Sequence, residues 1–340
     1  MNELPTVRLA PQITGETRRF RLVVSIINYR TGPMTWDCVR SVLDDLSGRQ
    51  DAMIAVIDND SGDGSADFLA GRIDGLTDAD SPVRLIRSAT NSGFSGGHNQ
   101  GLTAAEADYY LVLNSDAVLR PGFCATILDA AASAPTNVGL FAPQLEYDDG
   151  EVQVSLFRFP SPVSEIIRGA NTGPVTRLLR RWDIPLETRP DPDQIGWASF
   201  ACILLKGEMV RRIGPMDEGY FLYFEDAEYC LRARRAGWRI AHVPAARAVH
   251  FRGGSGPVKA LATRRKRLPA YFYASRSRFM RQAAGAGGPI AANLGWMLGR
   301  GVARFRRLFG KPIPPGIEGE PRDIWINSLR PLTGGDRKGG

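Results

Sequence analysis

Glu225 and Asp226 stand side by side directly after the run Phe221-Leu-Tyr-Phe224. A carboxylate pair set among bulky apolar residues suits a general base, because desolvation and a neighbouring like charge both raise a carboxyl pKa. The same two acids also suit the first turn of a helix, where the dipole favours negative charge, and both readings can hold together. His250 ends the apolar stretch Ala248-Val249 and reads either as a metal ligand or as a structural histidine. Asp58 and Asp116 each close an apolar run, in the polar segments Asp58–Ser65 and Asn114-Ser115-Asp116. Asp116 offers a hard oxygen to Mg²⁺ or Mn²⁺, or caps the helix that starts near Pro121. Asp58 can equally close an Asx-turn. His98 and His242 read as structural.

Between these residues the chain repeats a strand-loop-helix order. Arg21–Asn28, Met53–Ile57, Val83–Ile86 and Tyr109–Leu113 are short apolar runs rich in β-branched and aromatic residues, which suits strands buried on both faces. A helix begins near Pro33 with Trp36, Val39, Val42, Leu43 and Leu46 on one face. Asn91–Gly101, NSGFSGGHNQG, is a Gly-rich loop entering a helix and offers backbone N–H groups to phosphate. It follows the third strand and lacks G-x-G-x-x-G, so it is no dinucleotide fingerprint. This order predicts a doubly wound sheet, in which ligands bind outside the carboxyl ends of the strands. Asp58, Asp116 and the Gly-rich loop all fall there. Residues 155–195, rich in Pro and Arg and without clear period, read as a variable insertion flanking the site. Gly196–Lys206 returns to the core as a strand.

Charge divides the chain. Residues 1–250 are acidic on balance, whereas residues 251–311 hold 14 Lys or Arg and no acid. Such a block can bind an anionic membrane or another polyanion. Residues 261–283 and 290–309 are helix-compatible but too short in apolar core to span a bilayer, so an interfacial helix with Trp296 and Phe305 at the surface is expected. No nucleic-acid fold signature accompanies the charge, and no nucleic-acid partner is expected. The four scattered cysteines suit a reducing compartment, and the N-terminus has no apolar signal core.

The segments SIINYR (25–30), DNDSGDGS (58–65), NSGFSGGHNQGL (91–102), LNSDAVLRPG (113–122) and 201–255, with MDEGYFLYFEDAEYCLRARRAGWRI and AVHFRGGS, stand in the order found in family 2 glycosyltransferases of the GT-A fold. The chain resembles that family over roughly residues 20–255. Within it the chain is most similar to bacterial rhamnosyltransferase-like enzymes of surface polysaccharide assembly. It departs from the usual pattern at Asn114-Ser115-Asp116, where Asn-Pro-Asp is usual, at Phe200, where Gly is usual, and at Glu228, where Asp is usual. Phe200 puts a large side chain where the backbone usually lies open to the sugar.

The resemblance implies an inverting hexosyltransferase that uses a divalent metal (Mg²⁺ or Mn²⁺), a nucleotide-diphosphate sugar donor and a lipid-linked or polysaccharide acceptor. Overall similarity suggests rhamnose. It implies Asp226 as general base with Glu225 orienting the base or the acceptor, and Asp116 and His250 at the metal. Asn28, Asp58, Asn91, Gly93, Gly97, Asn99 and Asn114 are expected around the nucleotide sugar. The expected organisation is a flexible tail over 1–19, a GT-A domain over 20–255, a basic, helical, membrane-associating extension over 256–311 and a loosely ordered tail over 312–340. The expected location is cytoplasmic, on the inner face of the cytoplasmic membrane. Two other functions share these features: a catalytically silent GT-A scaffold that binds glycan or lipid, and a sugar-nucleotide pyrophosphorylase, whose N-terminal Gly-rich loop is missing from NYRTGPMTW (28–36).

Overall fold

The computed structural model describes residues 19–76, 82–187, 190–251 and 257–330. The tail expected over 1–19 lies outside them except for Arg19, as do residues 252–255 of the last family segment and residues 331–340.

Apolar runs become strands where both sheet faces are covered. β1 (Phe20–Asn28) sends Leu22, Val24 and Ile26 into one core cluster and Val23 into the other, all fully buried. On the first face lie α1 (Gly32–Asp45), α2 (Ser65–Asp74), which follows β2 (Ala52–Asp58), and, beyond it in the chain, Phe123, Ile127 and Leu128 of a later helix. β3 (Val83–Arg87) leads into α3 (Gly93–Thr103), which covers the second face with Leu102. β4 (Ala107–Asn114), β5 (Ala117–Leu119), α4 (Phe123–Ser133) and β6 (Val138–Glu146) follow.

Residues 155–195, expected as patternless, hold β7 (Leu156–Phe157), α5 (Pro162–Ala170) and α6 (Gly173–Leu178). The signal for α5 is local: Ser161 and Ser164 cap each other reciprocally, and Pro162 opens the first turn. β8 (Trp197–Ala198) pairs with β7, and β9 (Cys202–Lys206), α7 (Gly207–Ile213), α8 (Glu225–Arg235) and β10 (Arg239–His250) complete the sheet and its second cover. The eight-stranded sheet runs β3-β2-β1-β4-β9-β6-β10-β5. β3, β2, β1 and β4 are parallel; β9 inserts antiparallel between β4 and β6, and β5 runs antiparallel to β10. The sheet is therefore parallel over β3, β2, β1 and β4 and mixed beyond them.

The basic extension is part of the folded body. α9 (Val258–Thr263), α10 (Ala270–Ala284) and α11 (Gly288–Phe305) follow β10, and Phe279, Met280 and Ala292 share a core with Tyr220 and Ala227 of the α8 region. α11 crosses α5 at backbone contact distance: a Cβ on Gly169 would lie 2.2 Å from Trp296 O, and one on Gly295 2.3 Å from Pro162 O. Trp296 is buried, which corrects its expected place at a membrane interface. It packs with Leu268, Tyr273 and Ile324 instead. The tail expected to be loose carries α12 (Glu320–Asp323) and buries Ile324 and Ser328, because Arg267 and Arg168 bind Asp323 and Glu320. No helix among the described residues is long and apolar enough to cross a membrane.

Candidate active site

At the carboxyl ends of the strands lies a cavity of about 510 Å³. Three elements bring its inner chemistry together. α8 begins at Glu225 after a turn in which Tyr223 and Phe224 both take φ of 70°. Two successive left-handed non-glycine residues cost roughly 1–2 kcal/mol each. The turn aims Glu225 and Asp226 into the cavity wall. Burial, with Asp226 alongside, raises the Glu225 carboxyl well above its ordinary value. Burial also raises Asp226 to about 7, against the pull of N–H groups from Ala227 and Phe200. Phe200 thus has a second role: its ring sits in the core edge-on to Tyr229, at 5.9 Å between centroids, while its backbone N–H helps to offset the rise at Asp226. Its ring is buried at the cavity edge and does not project across it as a free side chain.

Sheet register supplies the second pair. Asp116 immediately precedes β5, and His250 ends β10 opposite Ala117. Phe251 N–H donates to Asp116 O at 2.9 Å. Gln153 fixes the other side by donating to His250 O at 2.6 Å. The result is His250 Nε2 at 3.3 Å from Asp116 Oδ1, both on the cavity wall. His250 Nδ1 is buried without a hydrogen-bond partner among the described residues. Among those residues no group of three His, Cys, Asp or Glu could hold a metal alone. One carboxylate and one imidazole fit a divalent cation that takes its remaining ligands from phosphate and water.

The Gly-rich segment forms the wall between strand ends β1 and β2. Gly93 has φ +71°, and a Cβ there would lie 2.2 Å from Phe221 O. Phe94 N–H donates to that same oxygen at 2.8 Å, tying α3 to the turn before α8. The N–H groups of Ser92 and Gly93 are taken by Asn59 Oδ1 and Asn91 Oδ1. This corrects the expectation of an open phosphate cradle: the first N–H groups brace the wall.

Of the residues expected around the nucleotide sugar, Asn91, Gly93 and Asn114 line the cavity; Asn28, Asp58, Gly97 and Asn99 do not. The Asn28 amide is spent on Asp58 at 2.6 Å and on Ser61 and Ser65, so these two residues form a buried brace behind the strand ends. Gly97 lets α3 rest on Ile27, which would stand 2.7 Å from its Cβ. Asn99 accepts from Met216 N–H and donates to Met216 O and Glu218, fastening the loop after α7. His98 keeps its structural role in hydrogen bonding to Ser25, and burial lowers its pKa to about 3, so it is neutral. Asn59, Tyr223, Tyr271 and Lys259 line the cavity without having been singled out. Asn59 adjoined a chosen residue in the same polar loop. Tyr271 and Lys259 belong to the extension, whose charge pointed to a lipid surface.

A family model described as glycosyl transferase family 2 matches residues 23–176, from β1 into α6. The chain is 29% identical over 268 residues to N-acetylglucosaminyl-diphospho-decaprenol L-rhamnosyltransferase of Mycobacterium tuberculosis, covering 72% of this chain and 81% of that protein. It is 27% identical over 167 residues to rhamnosyltransferase WbbL of Escherichia coli, covering 46% of this chain and 60% of that one. Its fold is like that of a mannosyltransferase from Pyrobaculum calidifontis solved with GDP-Man and Mn²⁺, with a TM-score of 0.54 at 15% identity over 89% of this chain and 79% of the other. GalNAc-T7 solved with UDP, GalNAc and Mn²⁺ has the same TM-score at 14% identity, over 87% of this chain and 59% of the other. The order of the strand-end motifs, the fold and these likenesses agree, and over residues 23–176 the chain matches glycosyl transferase family 2.

Proposed function

We propose that this glycosyltransferase moves a sugar, with inversion and divalent-metal dependence, from a nucleotide-diphosphate sugar to a lipid-linked acceptor in cell-surface glycan synthesis. The carrying observation is the single cavity onto which both the Glu225–Asp226 pair and the Asp116–His250 pair open. The rhamnosyltransferase names of the two bacterial relatives support rhamnose as the sugar, and the mycobacterial name supports a polyprenyl-diphosphate-linked acceptor.

Asp226 receives the acceptor hydroxyl proton as that oxygen bonds the anomeric carbon. The carbon–oxygen bond to the nucleotide breaks on the opposite face, and its electron pair leaves on the diphosphate. One displacement inverts the centre. A carboxylate raised to about 7 is a stronger base than an ordinary aspartate and is half ionised near neutral pH and increasingly so above it. Glu225, whose carboxyl burial and the Asp226 charge raise well above its ordinary value, is placed to orient the acceptor. Asp116 and His250 would hold a Mg²⁺ or Mn²⁺ ion, whose charge would offset that developing on the leaving diphosphate.

The reading also puts the protein at the inner, anionic face of the cytoplasmic membrane. Leu294, Met297, Leu298, Phe305, Leu308 and Phe309 are exposed on α11 and the turn after it, with Arg304 and Arg307 exposed among them. Apolar side chains flanked by arginine suit insertion below anionic headgroups.

The deciding experiment is a thermal-shift and hydrolysis screen of nucleotide sugars with and without Mn²⁺. One donor should both stabilise the protein and be hydrolysed, with Mn²⁺ strengthening both effects. A chain that neither binds nor hydrolyses any nucleotide sugar under these conditions is not this enzyme.

A further inference from the structure

The outer part of the cavity is built by the extension. Tyr271 of α10 lies parallel to Tyr223, at 3° between ring planes and 6.4 Å between centroids, and tilts against Phe221 at 5.7 Å. All three rings line the cavity, and Phe221 is 43% exposed. Lys259 of α9 lines the same space from the exposed side. The strained turn at Tyr223 and Phe224 splits the aromatic run across Phe272, which both touch: Phe224 packs on towards Phe279, while Tyr223 faces Tyr271. Backbone strain of this kind persists where surrounding structure enforces it, and it clusters at ligand clamps. Burial keeps both phenols neutral, with Tyr223 raised to about 12, so their hydroxyls can donate as well as accept.

Ring faces beside a carboxylate pair suit a pyranose, whose C–H face packs on an aromatic ring while its hydroxyls reach polar partners. A cation at the mouth suits an anionic group on the far end of that sugar. Resting on the transferase reading above, we propose that Phe221, Tyr223, Tyr271 and Lys259 form the acceptor subsite. It takes a pyranoside carrying phosphate or diphosphate at its reducing end, with the ring against Tyr271, the anion at Lys259 and the reacting hydroxyl at Asp226. The extension is then half of the active site as well as a surface element.

The test compares two acceptors in the full-length enzyme with saturating donor and Mn²⁺: a short-chain prenyl-diphospho-N-acetylglucosamine and octyl N-acetylglucosaminide, which lacks phosphate. N-acetylglucosamine 1-phosphate, as a third acceptor, separates a lipid-linked source from a free sugar phosphate. Lys259→Gln should raise KM at least tenfold for the phosphorylated acceptors and leave it within twofold for octyl N-acetylglucosaminide. Tyr271→Ala should raise KM at least tenfold for every acceptor used, and Tyr271→Phe should restore most of it. Donor hydrolysis by wild type, measured alongside, separates this proposal from the transferase reading: its absence sinks that reading, and its presence leaves the acceptor comparison to decide this one. An equal effect of Lys259→Gln on charged and uncharged acceptors overturns the proposal. So does an unchanged acceptor KM in Tyr271→Ala, or a wild-type enzyme that hydrolyses donor yet uses none of the three acceptors.

Discussion

Arg276 of α10 meets Glu165 of α5 at 2.8 Å, and both side chains are buried. Arg168 binds the same carboxylate at 2.6 Å and reaches Glu320 as well, while Asn293 accepts from Arg276 at 2.8 Å. One acid thus joins the segment between β7 and β8 to the extension and its tail. Burial alone would raise Glu165, but the two guanidinium groups outweigh it and hold the carboxyl below its ordinary value.

Glu165→Gln should therefore destabilise the protein by about 3–5 kcal/mol, the cost of leaving buried arginines without their anion. The sign of the pH effect follows from a depressed folded pKa. Stability from Glu165 is complete above its unfolded value near 4.5 and is lost as pH falls through the lower folded value. Denaturant melts between pH 3 and 7 check both points. A variant that melts like wild type across that range would remove the buried pair as a tie between the two segments.

Asp226→Asn should fold and bind donor but lose transfer. In wild type the transfer rate should climb about tenfold per unit as pH rises towards 7 and level off above it, as expected for a base that must be ionised. Stability should move the opposite way. The folded protein binds this proton more tightly than the unfolded chain, so stability declines as pH rises from about 3.8 to about 7 and is then level. The asparagine variant should lose that decline. Rate profiles and melts on the two proteins test the assignment, and wild-type turnover by Asp226→Asn would remove it.

Asp116→Asn and His250→Ala should act on metal use rather than on the fold. A chelator should abolish donor hydrolysis, and Mn²⁺ should restore it in wild type. His250→Ala should need at least tenfold more Mn²⁺ for half-maximal hydrolysis, because a two-donor site loses half of its protein ligands. Mn²⁺ titrations at fixed donor give the answer, and an unshifted midpoint in both variants would place the metal elsewhere.

The double change Leu308→Ser and Phe309→Ser removes two exposed apolar side chains beyond α11. Each full burial is worth about 1.5–3 kcal/mol, so partition into anionic vesicles should weaken at least tenfold. Hydrolysis of donor in solution should be unchanged. Vesicle sedimentation at low and high salt measures it. Equal binding by the double variant, or equal wild-type binding to neutral vesicles in high salt, counts against a lipid role for this face.

Gly93→Ala combines a left-handed backbone with a Cβ 2.2 Å from Phe221 O. The backbone term alone is about 1–2 kcal/mol, and separation of α3 from the turn adds to it. Donor hydrolysis should fall with stability, as read by melts and hydrolysis assays run together, since that contact sets one wall of the cavity beside Asp226. Wild-type melting would show that the turn moves freely from α3.

What could be read in the sequence was local. β1, β2 and β4 announce themselves as apolar runs, and Asp116 and His250 sit at strand ends that register later brings to 3.3 Å. What could not be read depended on distant partners. Asn28, Asp58 and Asn99 are polar residues of the right type in the right segments, yet their hydrogen bonds are consumed by other side chains and, for Asn99, by the Met216 backbone as well. Trp296 looked interfacial because its helix is amphipathic, and the close crossing at Gly169 and Gly295 instead holds that helix down, with Trp296 packed among Leu268, Tyr273 and Ile324. Tyr271 reads as one aromatic among arginines until α10 folds back over the turn at Tyr223.

The glycine crossing of α5 and α11 bears on how such enzymes diversify. Because backbone touches backbone at Gly169 and Gly295, each helix needs a partner that keeps glycine at the crossing. Segments 155–187 and 257–330 should therefore be exchangeable only as a pair. A chimaera that exchanges only one of them with a relative should fail to fold, whereas exchange of both should carry acceptor choice with it and leave donor choice behind.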